Sequence, residues 1–236
     1  MTVVYEDNHL IIVNKTASEI VQADKTGDVP LSETIKQYLK EKYRKPGNVF
    51  IGVVHRLDRP VSGLVLFAKT SKALARLNEM FRLGEVRKTY WAVVKSLPAE
   101  TEAELTHYLV RNERQNKSYA YDREVPGGKK AVLRYRLAGR SENYYLLEVD
   151  LLTGRHHQIR CQLAKIGCPI KGDLKYGSPR SNPDGGISLH ARMMRFVHPV
   201  SKELVEVVAP PPEGKPWSLF SVSQQEGEGA IGNLAD

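Results

Sequence analysis

The segment VVHRLDRPVSGLVLFAK, residues 53–69, sets an acid among bases inside an apolar stretch. His55, Arg56, Asp58 and Arg59 stand between Val53-Val54 on one side and Leu64, Val65, Leu66 and Phe67 on the other. Burying an unpaired charge is costly, so core-forming segments do not carry such clusters without a reason. A guanidinium against a carboxylate in a partly dry cleft keeps the acid ionised and oriented, as a nucleophile or general base requires. Arg56 and Arg59 are near Asp58 in sequence, and Arg160 lies one position from the apolar side of a later helical stretch. The plainer alternative makes Asp58 a turn or capping residue ahead of Arg59-Pro60. Tyr90, within KTYWAVV (88–94), either packs with its hydroxyl hydrogen-bonded or stacks on a base and exchanges a proton.

Other chemistries lack their motifs. There is no P-loop, no G-x-G-x-x-G after a strand and no G-x-S-x-G elbow. Neither C-x-x-C nor H-E-x-x-H occurs, and the adjacent pair His156-His157 would point to different faces of a helix, so no metal site is expected. Cys161 and Cys168 would lie roughly 10 Å apart along a helix, too far for a bridge, which suits a reducing cytoplasm. No apolar run is long enough to cross a bilayer, and the start has no signal-peptide pattern. The net charge of +8, from 35 basic against 27 acidic residues, is compatible with a polyanionic partner. Basic residues concentrate in 111–136 and 155–180, and with the candidate site they point to RNA.

These side chains need elements to position them. Residues 3–13 read as a hairpin turning at Asp7-Asn8, and 30–47 as a helix with Ile35, Tyr38 and Leu39 on one face. GLVLFAK (63–69) suits a strand covered on both faces, followed by a helix capped at Thr70 or Ser71 and stopped by Gly84. A strand over 88–96 and β-like stretches at 104–110, 117–121, 130–138 and 143–152 come next, with a turn at Gly127-Gly128. TGRHHQIRCQLAKIG (153–167) reads as a third helix with His156, Ile159, Leu163 and Ile166 on its apolar side. Two strands fall within 187–208. The pattern predicts an α+β fold with a mixed, largely antiparallel sheet, one domain over 1–220 and a disordered, Gly-rich tail over 221–236.

HRLDRPVSGLVLFAK strongly resembles the signature segment of the RluA-type RNA pseudouridine synthases. RKTYWAVV (87–94) is similar to the family's Lys-x-Tyr segment, and TGRHHQIRCQLAKIGCPIKGDLKYG (153–177) to its T-G-R-x-H-Q-I-R block with the downstream G-x-P-I-x-G-D-x-x-Y-G. LHA (189–191) follows in order, and VVYEDNHLIIVNK (3–15) resembles the opening hairpin. Two departures affect loop shape, Lys15-Thr16 where Lys-Pro is usual and Val61 where Thr is common. No S4-like segment is expected ahead of the catalytic part, which tilts the expected substrate slightly toward a tRNA or short stem-loop, with rRNA still open.

The resemblance implies an isomerase that detaches uracil from ribose, turns it and rejoins it through C5, with no metal, nucleotide or redox cofactor. It implies that Asp58 is the essential carboxylate, attacking the nucleoside or removing a ribose proton. Arg160 would hold Asp58 ionised, and Tyr90 would stack on uracil and assist loss of the C5 proton. Arg56 would fill the gap left by the extruded uridine, with His55, Arg155, His156 and Gln158 as further RNA contacts. A cytoplasmic monomer is expected. The rival reading is a non-catalytic RNA-binding or RNA-folding module, and the intact Asp58 speaks against it.

Overall fold

A computed structural model describes residues 1–24 and 26–220. The first hairpin pairs β1 (Thr2–Glu6) with β2 (Leu10–Lys15). Asp7 makes the turn, its carboxylate accepting from the backbone N–H groups of His9 and Leu10, both at 2.7 Å. Helix α1 (Leu31–Lys42) follows, then the short β3 (Gly52–Val53) and the fully buried β4 (Ser62–Ala68). Helix α2 (Ser71–Leu83) begins where Thr70 Oγ1 accepts from Ala73 N at 3.1 Å and ends on left-handed Gly84. Strands β5 (Arg87–Val94), β6 (Glu102–Asn112), β7 (Lys117–Tyr121), β8 (Lys129–Arg140) and β9 (Tyr145–Leu151) run on to helix α3 (Gln158–Lys165). Strands β10 (Leu189–Val197) and β11 (Leu204–Val208) follow, with short 3-10 turns at Leu174–Tyr176 and Trp217–Leu219.

The eleven strands among the described residues form one sheet, ordered β1-β2-β4-β10-β5-β9-β8-β6-β7, with β3 on β4 and β11 on β10. Every pairing is antiparallel except β4 with β10, which touch only at Ser62–His190 and Gly63–Ala191. Beyond that point the two strands part, and β3 and β11 line the separated edges. Gly63 makes the close approach possible. It has φ +115°, and a Cβ there would overlap the Ala191 backbone. The α+β, largely antiparallel expectation therefore holds, and the loop carrying Asp58 enters β4 at the sheet's single parallel junction.

Strands buried on both faces divide the core. Ile11, Val13, Val65, Phe67, Tyr90, Ala92 and Val149 face α1 and α3, with Ile35, Leu39, Ile159 and Leu163 packed on them. On the opposite face Leu10, Ile12, Leu64 and Leu66 meet Ala73 and Leu77 of α2. Fully burying each aliphatic side chain contributes about 1.5–3 kcal/mol, so this layered core is the rigid support of the site.

The first helix ends at Lys42, short of 47, where Tyr43 caps it and Arg44 turns left-handed at φ 48°. The third helix starts at Gln158, not in the 153–157 stretch. His157 has φ 52°, and the Gln158 side chain holds the preceding residues in a turn by accepting from Thr153 Oγ1 (2.8 Å) and Arg155 N (3.0 Å). His156 accordingly does not lie on a helix. The tail expected over 221–236 lies outside the described residues. Among the described residues no helix is long and apolar enough to cross a membrane.

Candidate active site

Asp58 sits in the loop between β3 and β4, flanked by buried Leu57 and Val61. Three backbone ties hold the turn, Val61 N to Asp58 O, Ser18 N to Arg59 O and Ile187 N to Pro60 O. Lys15 adds a fourth support. Its side chain is buried and its Nζ donates to the carbonyls of Thr16, Arg59 and Val61. Three acceptors match the three protons of an ammonium, although burial lowers the Lys15 pKa to about 8 against the opposing charges of Glu19 and Asp58.

Arg160, in the first turn of α3, reaches across this loop with its side chain only 6% exposed. Its Nη1 donates to Asp58 Oδ2 at 3.0 Å. Its other edge forks onto Asp173, Nε to Oδ2 at 2.7 Å and Nη2 to Oδ1 at 2.9 Å. Asp173 is 1% exposed, so one buried guanidinium is shared by two carboxylates of unequal burial. Burial disfavours its charge, yet the bonds and charges of Asp173 and Asp58 raise its pKa further. The Tyr176 ring lies under the guanidinium carbon at 5.1 Å.

Asp58 Oδ2 has a second neighbour, His157 Nε2 at 3.4 Å, while Oδ1 has no hydrogen-bond partner among the described residues. Tyr90, in mid-strand between Val149 and Ala191, is buried close enough to Asp58 to feel its charge. Burial and then that charge raise the phenol pKa, so Tyr90 keeps its proton. Asp58 and Arg160 thus meet directly, with Tyr90 near enough for the Asp58 charge to act on it, from three segments far apart in sequence.

The remaining candidates divide. Arg56 is exposed beside Asp58 and forms no ion pair among the described residues. Arg155 is also exposed, its Nε donating to Lys130 O at 3.0 Å. His156 stacks on His157 with centroids 3.8 Å apart and faces Ser118 and Asn116. Arg59, expected as a cation for Asp58, turns outward to Asp28 (2.6 Å) and Asp24 (3.5 Å), because its backbone carbonyl is held inward by Lys15. His55 and Gln158 have their polar groups occupied by the protein. His55 Nε2 accepts from Leu66 N at 3.0 Å, its ring stacks on Phe81, and burial and Lys88 push its pKa down to about 3. Gln158 is buried, holding the 153–155 turn through Oε1 and donating Nε2 to Val132 O at 3.1 Å. Both are supports of the loops that carry the site.

Reading residues in isolation missed His157, Asp173, Tyr176 and the role of Lys15. Asp173 and Tyr176 lie within GDLKYG and Lys15 within the opening hairpin, so the signal was their presence in motifs.

Comparison with known proteins accords with this geometry. The family model described as RNA pseudouridylate synthase matches residues 9–165. An uncharacterized RNA pseudouridine synthase of Synechocystis is 33% identical over 90% of this chain and 66% of its own length. The ribosomal large subunit pseudouridine synthase D of Xylella fastidiosa is 34% identical over 90% of this chain and 66% of its own. The chain thus spans about two thirds of the length of these relatives. Human RNA pseudouridylate synthase domain containing 4 shares the fold, with TM-score 0.74 and 22% identity over 89% of this chain and 88% of that one. The chain therefore belongs to the RNA pseudouridylate synthase family, enzymes of the isomerase class.

Proposed function

We propose that this chain converts uridine to pseudouridine within RNA, with Asp58 as the essential carboxylate. The observation that carries the reading is the asymmetry of that group, one oxygen bound by a buried arginine and the other without a partner among the described residues. In the reaction the C1′–N1 bond breaks, a C1′–C5 bond forms, N1 gains a proton and C5 loses one. Asp58 Oδ1 acts at the ribose, as nucleophile or as base, and Arg160 keeps it ionised. Tyr90 stacks on the freed uracil. As a protonated phenol it acts as a relay, taking up the C5 proton as its own passes to a water in the cleft, while N1 takes its proton from water.

RNA reaches this site along exposed bases. Arg56 beside Asp58 takes the space of the extruded nucleotide, while Arg155, Lys130 and Lys175 meet phosphates. His156 is placed at the same rim. A relative named for the large ribosomal subunit supports ribosomal RNA as the substrate class.

The test uses total RNA from a strain lacking the gene, grown with uracil tritiated at C5. Wild-type protein should release tritium at defined sites mapped as pseudouridine. Asp58→Asn should bind the RNA and release none; appreciable turnover by that variant would refute the assignment.

A further inference from the structure

A polar chain runs behind Asp58 from the Ser118 backbone through Tyr176 to His157. The Tyr176 hydroxyl oxygen accepts from the backbone N–H of Ser118 at 2.8 Å. Its single proton has no other acceptor among the described residues, which assigns it to His157 Nδ1, 3.0 Å away. A ring whose Nδ1 accepts must, when neutral, carry its proton on Nε2, and Nε2 lies 3.4 Å from Asp58 Oδ2. The ring is held on its other sides too, by the stacked His156 and by the edge of Tyr176 with centroids 5.6 Å apart. His157 occupies the left-handed region at φ 52°, a strained conformation for a non-glycine residue that persists where surrounding contacts over-determine it.

We propose that His157 is a positioning residue, a neutral imidazole fixed as the Nε2–H tautomer by Tyr176 and Ser118. Arg160 bonds Oδ2 of Asp58, and the Nε2–H dipole of His157, 3.4 Å away and outside hydrogen-bond geometry, steadies the same oxygen and leaves Oδ1 aimed at the ribose. This rests on the reading of Asp58 as the essential carboxylate.

Neutrality is part of the function. An imidazolium would form a full ion pair with Asp58 and weaken it as a nucleophile or base, whereas a neutral N–H orients it at little electrostatic cost. The groups facing the ring are Asp58, Arg160, His156 and Tyr176, with Lys175 further off. Burial holds the His157 pKa down near 3, against the pull of the Asp58 charge.

The test has a structural arm and a kinetic arm on the full chain. With 15N-labelled histidine, long-range proton–nitrogen spectra between pH 6 and 8 should show His157 as the Nε2–H tautomer, assigned by its loss in His157→Gln. Tyr176→Phe should release that tautomer into a mixture. An Nδ1–H tautomer or an imidazolium in the wild type would overturn the proposal, whatever the variants do.

In single-turnover tritium release from the deletion-strain RNA, His157→Leu should slow the step by between about tenfold and a hundredfold at unchanged RNA affinity, the scale of a mispositioned reacting group. His157→Gln, whose amide nitrogen falls near Nε2, should recover most of the rate. Equal loss in the Leu and Gln variants would mean packing alone and would sink the proposal, as would a wild-type rate for a folded His157→Leu. Turnover by Asp58→Asn would instead defeat the reading of Asp58, while the tautomer spectrum would still report on His157.

Discussion

Asp58 and Asp173 both contact Arg160, yet replacing each by asparagine should give opposite results. Asp173→Asn keeps one acceptor oxygen but places an NH2 against a guanidinium N–H that now forms a 2.7 or 2.9 Å bond. A hydrogen bond to a charged group contributes about 1.5–3 kcal/mol, and the buried guanidinium also loses one of its two countercharges. Together these reach about 3–5 kcal/mol, the usual cost of removing one partner from a buried pair. For a chain of this size that lowers Tm by roughly 6–20 °C. Asp58 presents one 3.0 Å bond from a side chain 32% exposed, so Asp58→Asn should change stability by no more than about 1 kcal/mol. Its turnover should vanish, whereas Asp173→Asn should retain reduced turnover at a temperature where it is folded, because Arg160 Nη1 can still meet Asp58. Thermal unfolding by circular dichroism, paired with tritium release, reads both quantities. Equal Tm shifts in the two variants, or Asp58→Asn as the less stable one, would refute the division into a structural and a reactive carboxylate.

Lys15→Met should cost about 3 kcal/mol or more in urea unfolding, because three carbonyls lose their buried donor at about 1–3 kcal/mol each; a loss below about 1 kcal/mol would show that they are solvated instead. Gly63→Ala should fail to give a native unfolding transition, since its Cβ collides with the Ala191 backbone at the parallel junction of β4 and β10; a native-like Tm would disprove that approach. Acid should destabilise the protein well above the carboxylate range. His55, His157 and His190 have pKa values pushed by burial to about 3, 3 and 4, below the unfolded value near 6.5. The unfolded chain therefore binds more protons between those limits. Stability is fully present above pH 6.5 and falls by about 1.4 kcal/mol per pH unit for each such histidine as pH drops toward 4. Equal urea midpoints at pH 7 and pH 5 would contradict this.

Much of the molecule was legible from the chain alone. The buried run of β4, the capped α2 and the hairpin turn at Asp7 depend on residues adjacent in sequence, so periodicity and capping chemistry reveal them. The strand-rich pattern indicated the largely antiparallel sheet, and the ordered motifs pointed to the family and to Asp58, Tyr90 and Arg160 as candidates. The helix start at Gln158 was not legible, because a side chain reaching back to Thr153 and Arg155 overrides the helical pattern of 153–157. Nor was the choice of partner for Asp58. Arg59 is its immediate neighbour and turns away, while Arg160, 102 residues distant, supplies the bond. Ion pairing depends on distance in space and on loss of water, and both are set here by β10 joining β4 beneath the Asp58 loop and by α3 packing over it. The sequence by itself determined which groups are available for the chemistry; only the tertiary structure decided which of them are free to react and which are spent holding the others in place.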